Sequence, residues 1–177
     1  MLLTDYGVSG VCVFQLSREA APALAQGQSV RLAVNFLPEI PSLLPWLDAR
    51  IRQLAPASLL ALTTGVLPRL LAQTVIREAR LSPDMPAEAL SESEKQALCG
   101  ALSAFPLVVT GTQGFANAQV TRGGVSLADV DPSTMASRLF DGLHIIGELL
   151  DVDGPCGGYN LHFAFAGALA AAKAIAG

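Results

Sequence analysis

Alternation and helical periodicity divide the chain into three stretches. At the start, "LLT" reads as a strand running into a glycine-bearing turn. Ser9 then stands where it can cap a helix through "GVCVFQLSREA". Val11, Phe14 and Leu16 fall on or near that helix's apolar face, and Pro22 and Gly27 are expected to end it. "SVRLAVNF" follows with strict alternation. Val30, Leu32, Val34 and Phe36 point one way and Arg31, Ala33 and Asn35 the other, the mark of a half-buried strand.

Residues 38–105 change character. Pro38, Pro41, Pro45, Pro56, Pro68, Pro83 and Pro86 punctuate leucine-rich helical segments: "SLLPWLDARIRQL", "PASLLALTTG" and "LPRLLAQTVIREARL". "SESEKQALCGALSAF" opens with a Ser91–Glu94 capping box, after which Ala97, Leu98, Ala101, Leu102 and Phe105 recur at helical spacing. The pattern predicts a small module of three or four helices, with the leucine stripes and Trp46 in its core. From 106 the chain returns to β-like segments. "PLVVTGT" and "NAQVTRGGV" predict a hairpin-like pair. "LHIIGE" predicts a short apolar strand that feeds an acidic, glycine-rich turn and a last helix almost free of charge. A helical block between two α/β pieces has the form of an insertion.

Composition narrows the possibilities. The chain is 51% hydrophobic and 15% charged, with a mean hydropathy of +0.47; an average soluble domain carries about 25% charged residues. The longest apolar run near the C-terminus, "FAFAGALAAA", is shorter than the roughly 20 residues a spanning helix needs. No signal-peptide pattern is visible, so a cytoplasmic, non-membrane protein is expected. Net charge is −4, and the cations form no stripe that could track a phosphate backbone. Nucleic-acid binding therefore has no electrostatic support. Cys12, Cys99 and Cys156 form neither a disulfide framework nor a C-x-x-C pair.

The chemistry concentrates in "GELLDVDGPCGGYNLH". A calcium loop counted from Asp151 fails, because Cys156 falls where glycine is needed and His162 where a bidentate glutamate is needed. Cys156, His162 and His144 match no common zinc spacing, and "GVSG" lacks the second spaced glycine of a nucleophile elbow. What remains is Gly147–Glu148 at the end of the expected strand, then Gly157 and Gly158, then a helix starting near Tyr159–Asn160. The carboxylate can accept from hydroxyls, and the helix start offers free N–H groups to an electron-rich group. A nucleotide-like cofactor with a polyol arm would use both. A glycine-rich turn with a solvated acidic face accounts for the same residues.

"TDYGVSGVCVFQLS" and "VTRGGVSLADVDPSTMASRLFDGLHIIGELLDVDGPCGGYNLHFAFAGALAA" resemble the C-terminal half of the YhiN/BaiN-like flavoproteins, a family of NAD(P)/FAD-dependent oxidoreductases related to aminoacetone oxidase. "RGGV", "TMAS", "GELLDVDG" and "GGYNL" occur in the family's order, and the likeness covers roughly residues 1–37 and 105–177. The resemblance implies an α/β fragment: the closing part of a glutathione-reductase-type FAD domain (106–177), the end of an inserted β-rich substrate domain (1–37) and a small helical bundle (38–105). It implies FAD as cofactor, NAD(P)H as a candidate electron donor, a small-molecule substrate, and a missing N-terminal Rossmann half as the main partner. Alone, the chain is expected to be inactive and to self-associate through uncovered apolar surface. A non-catalytic assembly module is the alternative.

By the same resemblance, Gly147 and Glu148 match the position that meets the ribityl–pyrophosphate region. Gly157, Gly158, Tyr159, Asn160 and Leu161 match the helix start facing the flavin pyrimidine. Arg122, Gly123 and Gly124 match a loop near the isoalloxazine, and Tyr6, Gly7, Ser9 and Gly10 match the edge of the insert near the same cavity. Two departures stand out: Val11 where the family often has proline, and His162–Phe163 where Gln–Trp is more usual. No side chain is an obvious acid–base catalyst. His144 is expected to be structural, and His162 is a candidate for contact with flavin or substrate.

Overall fold

The computed structural model describes residues 1–177. The chain is mixed α/β, with six helices and two small two-stranded sheets, and it divides into two compact units. One unit is the continuous stretch Ser29–Val109; the other joins Met1–Gln28 to Thr110–Gly177.

The continuous unit is closed by strands β3 (Val30–Val34) and β4 (Phe105–Val109), which run antiparallel with Val30 opposite Val109 and Val34 opposite Phe105. The alternation expected for 30–34 is present: Val30, Leu32 and Val34 turn inward and Arg31 and Ala33 outward. The expected hairpin between "PLVVTGT" and "NAQVTRGGV" does not form. β4 takes β3 as its partner, and Val125 makes only a single parallel bridge, to Leu150. The apolar face of β4 finds its complement in Val30, Leu32 and Val34, which the polar "NAQVTRGGV" cannot supply.

Between these strands lie α2 (Leu43–Leu54), α3 (Leu59–Leu62), α4 (Arg69–Glu78) and α5 (Glu92–Ser103). Their inward residues recur at three- and four-residue spacing: Leu47 and Ile51, Ala72, Val75 and Ile76, and Leu98, Ala101 and Leu102. With Leu37, Leu59 and Leu62 they form one continuous core, against which Trp46 packs. Arg50 stacks its guanidinium 5.7 Å from the Trp46 ring centroid and donates to the Thr64 carbonyl at 2.7 Å. The Ser91–Glu94 capping box is formed: Ser91 Oγ accepts from the Glu94 amide, and the Glu94 carboxylate accepts from the Ser91 amide at 2.8 Å.

The discontinuous unit opens with a hairpin of β1 (Leu2–Thr4) and β2 (Gly7–Ser9), followed by α1 (Val11–Ala25). Ser9 does not cap α1. It lies in β2 opposite Leu2, and Gly10 occupies the cap position. Pro22 lies inside the helix rather than ending it. Val11, Phe14 and Leu16 are exposed, and α1 contributes no fully buried residue. Four residues form the unit's buried core: Val130, Met135, Leu150 and Ala171. The last helix, α6 (Tyr159–Ala176), supplies Ala171.

The Ser91 hydroxyl and amide hold the Glu94 carboxyl below its ordinary range. Because the folded value is depressed, this contribution is present above the ordinary carboxylate range and is lost as pH falls through the folded value. Replacing Ser91 with alanine is expected to destabilise the Ser29–Val109 unit by about 1 kcal/mol at neutral pH. The gap from wild type should narrow on acidification. Urea unfolding followed by Trp46 fluorescence, as a function of pH, checks both statements.

Candidate functional site

Three glycine-bearing stretches of the discontinuous unit meet around Leu149–Gly154. The first is 122–125. The Val125 amide donates to the Leu149 carbonyl at 2.8 Å, the Asp151 amide donates to the Val125 carbonyl at 2.9 Å, and the Gly123 amide donates to the Asp151 carboxylate at 3.1 Å. Gly124 makes this approach possible. A Cβ there would lie 2.6 Å from the Leu149 carbonyl oxygen and 2.9 Å from the Asp151 nitrogen, both backbone atoms.

The second stretch carries Glu148, and here the expectation of a strand fails. Gly147–Leu149 is a 3-10 turn, and His144 makes only an isolated bridge to Ala136. Gly147 has φ +63°, which breaks the extended backbone that a strand needs. The turn packs on α6, with the side of Gly147 facing the Ala164 methyl at 3.4 Å from where a Cβ would sit. Glu148 is therefore an exposed carboxylate on a helical turn beside the first half of α6, not a group at a strand end.

The third stretch is the entry to α6, which begins at Tyr159 as expected. Gly158 takes a left-handed conformation at the cap, and no side chain caps this end. The first N–H groups of a helix have no partner within it, and the space where a Gly158 side chain would sit is open. Asn160 is committed elsewhere. Its Oδ1 accepts from the Gly154 amide at 2.7 Å and its Nδ2 donates to the Gly154 carbonyl at 3.1 Å, an arrangement only one amide orientation satisfies. The Asn160 side chain thus locks the preceding turn. Tyr159, Leu161 and His162 are exposed.

The guanidinium of Arg122 donates to the Arg18 carbonyl at 2.7 Å, and Arg18 in turn reaches the Asp153 carboxylate at 3.3 Å. Arg18 is not among the residues the sequence singles out, and Asp151 and Asp153 stand there only in the rejected calcium count and within "GELLDVDG", with no role of their own. An aspartate two residues from a second one and next to glycine is the local sign of a turn held by carboxylates. Nothing local marks Arg18, whose partner is 135 residues away. Tyr6, Gly7, Ser9 and Gly10 lie in and beside the hairpin that precedes α1. The half-buried His144 sets Nδ1 2.9 Å from the Thr134 carbonyl, which holds the 134–144 loop together.

Around this site α6 is apolar on two faces. Phe163, Gly167, Ala170 and Ala171 turn toward the core, while Leu161, Phe165 and Leu169 form a second stripe that is 63%, 72% and 58% exposed. Leu149 and Tyr159 add to the uncovered surface. No helix is long and apolar enough to cross a membrane. An open groove of about 350 Å³ lies in the other unit, lined by Glu78, Arg80 and small residues of α5, and none of the predicted site residues borders it.

The sequence model of the HI0933-like protein barrel and H2TH domain matches residues 1–120. The chain belongs to the HI0933-like family. Among curated relatives of this HI0933-like chain, the 3-dehydro-bile acid delta(4,6)-reductase of Clostridium scindens is 37% identical over 178 residues, which is 99% of this chain and 44% of that protein. The ribosomal RNA dihydrouridine synthase of Escherichia coli is 34% identical, over 98% of this chain and 41% of its own length. The Haemophilus influenzae protein of the same name is 30% identical, over 99% and 42%. The chain therefore spans roughly two fifths of the length of the relatives it matches.

Gly124→Ala is expected to destabilise the discontinuous unit by about 2–3 kcal/mol, because a β-carbon there meets backbone that cannot swing away. Gly111→Ala, in open space, should stay within about 0.5 kcal/mol of wild type. Hydrogen exchange of the Val125 and Asp151 amides distinguishes the two variants.

Proposed function

We propose that this chain is the C-terminal part of an FAD-dependent oxidoreductase. It would contribute the flavin-ring and ribityl side of the cofactor site to a nucleotide-binding region that precedes it. The observation that carries this reading is the uncapped, glycine-led start of α6 beside the exposed Glu148 turn and the 122–125 loop. The residues suit such a group. Main-chain N–H groups at Tyr159–Leu161 can face its electron-rich edge, where the helix end favours negative charge. Glu148 can accept from hydroxyls of its polyol arm. Gly157 and Gly158 keep the backbone bare where close approach is needed. Asn160 and Arg122 would act indirectly, by holding the loops. When bound, FAD supplies the two-electron redox chemistry.

The names of the two kinds of relative both describe a reduction, one of a bile acid and one that yields dihydrouridine in RNA. A small-molecule substrate is favoured for this chain. In the unit that carries the site, Arg18, Arg122, Arg138 and Lys173 face eight acids: Asp5, Glu19, Asp129, Asp131, Asp141, Glu148, Asp151 and Asp153. That balance repels a polyanion. NAD(P)H is the proposed electron donor. The 177-residue chain alone would be inactive.

The test is absorbance of the purified chain and of the same chain preceded by its nucleotide-binding region, each with and without NADH or NADPH. The longer protein should show a bound-flavin spectrum that bleaches with a reduced nicotinamide, and the shorter should show none. A longer protein without flavin would defeat the cofactor reading. A shorter one that holds stoichiometric FAD and turns over would defeat the division of the site.

The second apolar stripe of α6 supports a protein partner on that face, since a helix apolar all round is ordinarily buried all round. In isolation the chain is expected to self-associate. Phe165→Glu with Leu169→Glu should shift its sedimentation toward monomer, and in the longer protein the same pair should impair folding.

A further inference from the structure

We propose that Arg18 is a positioning residue that sets the two cofactor loops against α1; this rests on the functional reading above. Arg18 lies in the middle of α1, and both its ends of chemistry are in use. Its backbone carbonyl accepts from Arg122 at 2.7 Å, at the head of the 122–125 loop. Its guanidinium pairs with Asp153 at 3.3 Å, in the turn that leads into α6. One residue therefore grips two loops that lie about thirty residues apart in sequence, by main chain on one side and side chain on the other.

The pair differs from a solvated surface contact. The side chains of Arg18 and Asp153 are 38% and 21% exposed. Arg18 Nε is shut off from solvent with no acceptor in hydrogen-bonding range, the Glu19 carboxylate standing 3.8 Å away. The guanidinium is therefore held through the Nη2 contact to Asp153, with Nε turned away from any acceptor in range. That position transmits directly. Asp153 is followed by Gly154, which Asn160 clamps to the first turn of α6. Arg122 is followed by Gly123, which Asp151 holds. Arg18 thus fixes where the uncapped helix start stands relative to the glycine loop, and with it the cradle for the flavin.

The experiment compares wild type, Arg18→Gln, Asp153→Asn, the double variant and the charge swap Arg18→Asp/Asp153→Arg in the full-length protein, with hydrogen exchange on the 177-residue chain in parallel. Each single variant should weaken FAD binding about tenfold, the scale of one charge-assisted contact, and should alter the visible flavin spectrum. The double variant should be no worse than either single, the coupling expected of partners, and the swap should recover part of the loss. Exchange at the Gly123 and Gly154 amides should quicken in Arg18→Gln. Unchanged flavin affinity and spectrum would overturn the proposal even if exchange quickens, because the contact would then be a brace only. Additive losses in the double variant would overturn it too. A wild-type protein that holds no flavin would sink the cofactor reading and this role with it, whereas loaded wild type with unaffected variants sinks this role alone.

Discussion

At Gly124 one strand of backbone passes another so closely that no side chain fits between them. That crossing fixes Val125 on Leu149 and Asp151, and most of the discontinuous unit is arranged around it. Leu150, one of its few fully buried residues, sits within the crossing. Glu148 and Asp153 flank it on either side. The acidic stretch that looked like a ligand loop in the sequence is first of all a structural seam, with Asp151 and Asp153 as its fastenings.

The two units meet the stability problem in different ways. Residues 29–109 bury a continuous leucine-rich core and expose few large apolar side chains. The other unit has a core cluster of four buried hydrophobic residues and leaves Phe14, Phe115, Leu161, Phe165 and Leu169 uncovered, among others. Domains below a certain size cannot bury enough apolar area to offset chain entropy. The uncovered apolar surface of the chain thus has a location: it is concentrated in the unit that carries the candidate site.

What could be read from the sequence follows the range of the forces involved. The helices between 43 and 103 were legible because their signals are local, as in Ser91–Glu94 and the Leu98–Ala101–Leu102 stripe. The start of α6 is legible because Gly157–Gly158 breaks the chain shortly before the apolar run that begins at Phe163. Strand pairing was not. The partner of β4 is β3, some seventy residues earlier, and a nearer segment with valines looked sufficient. Gly147 reads as the end of a strand because nothing in "LHIIGE" reveals its positive φ. Arg18 was invisible for the same reason as β3: its meaning resides in a contact with a distant part of the chain.

The pairing of Val30 with Val109 has a consequence for how the chain is assembled. The excursion from Ser29 to Val109 leaves and returns at one point, so for the surrounding unit it amounts to a short connection. The entropy of closing that long loop is met inside the helical module, by its own core. In synthesis order residues 1–28 come before the module, and the rest of their unit, 110–177, comes after it. Once β4 closes on β3, the next residues made, from Thr110 onward, are delivered beside that first segment, and a contact between sequence ends becomes a nearly local one.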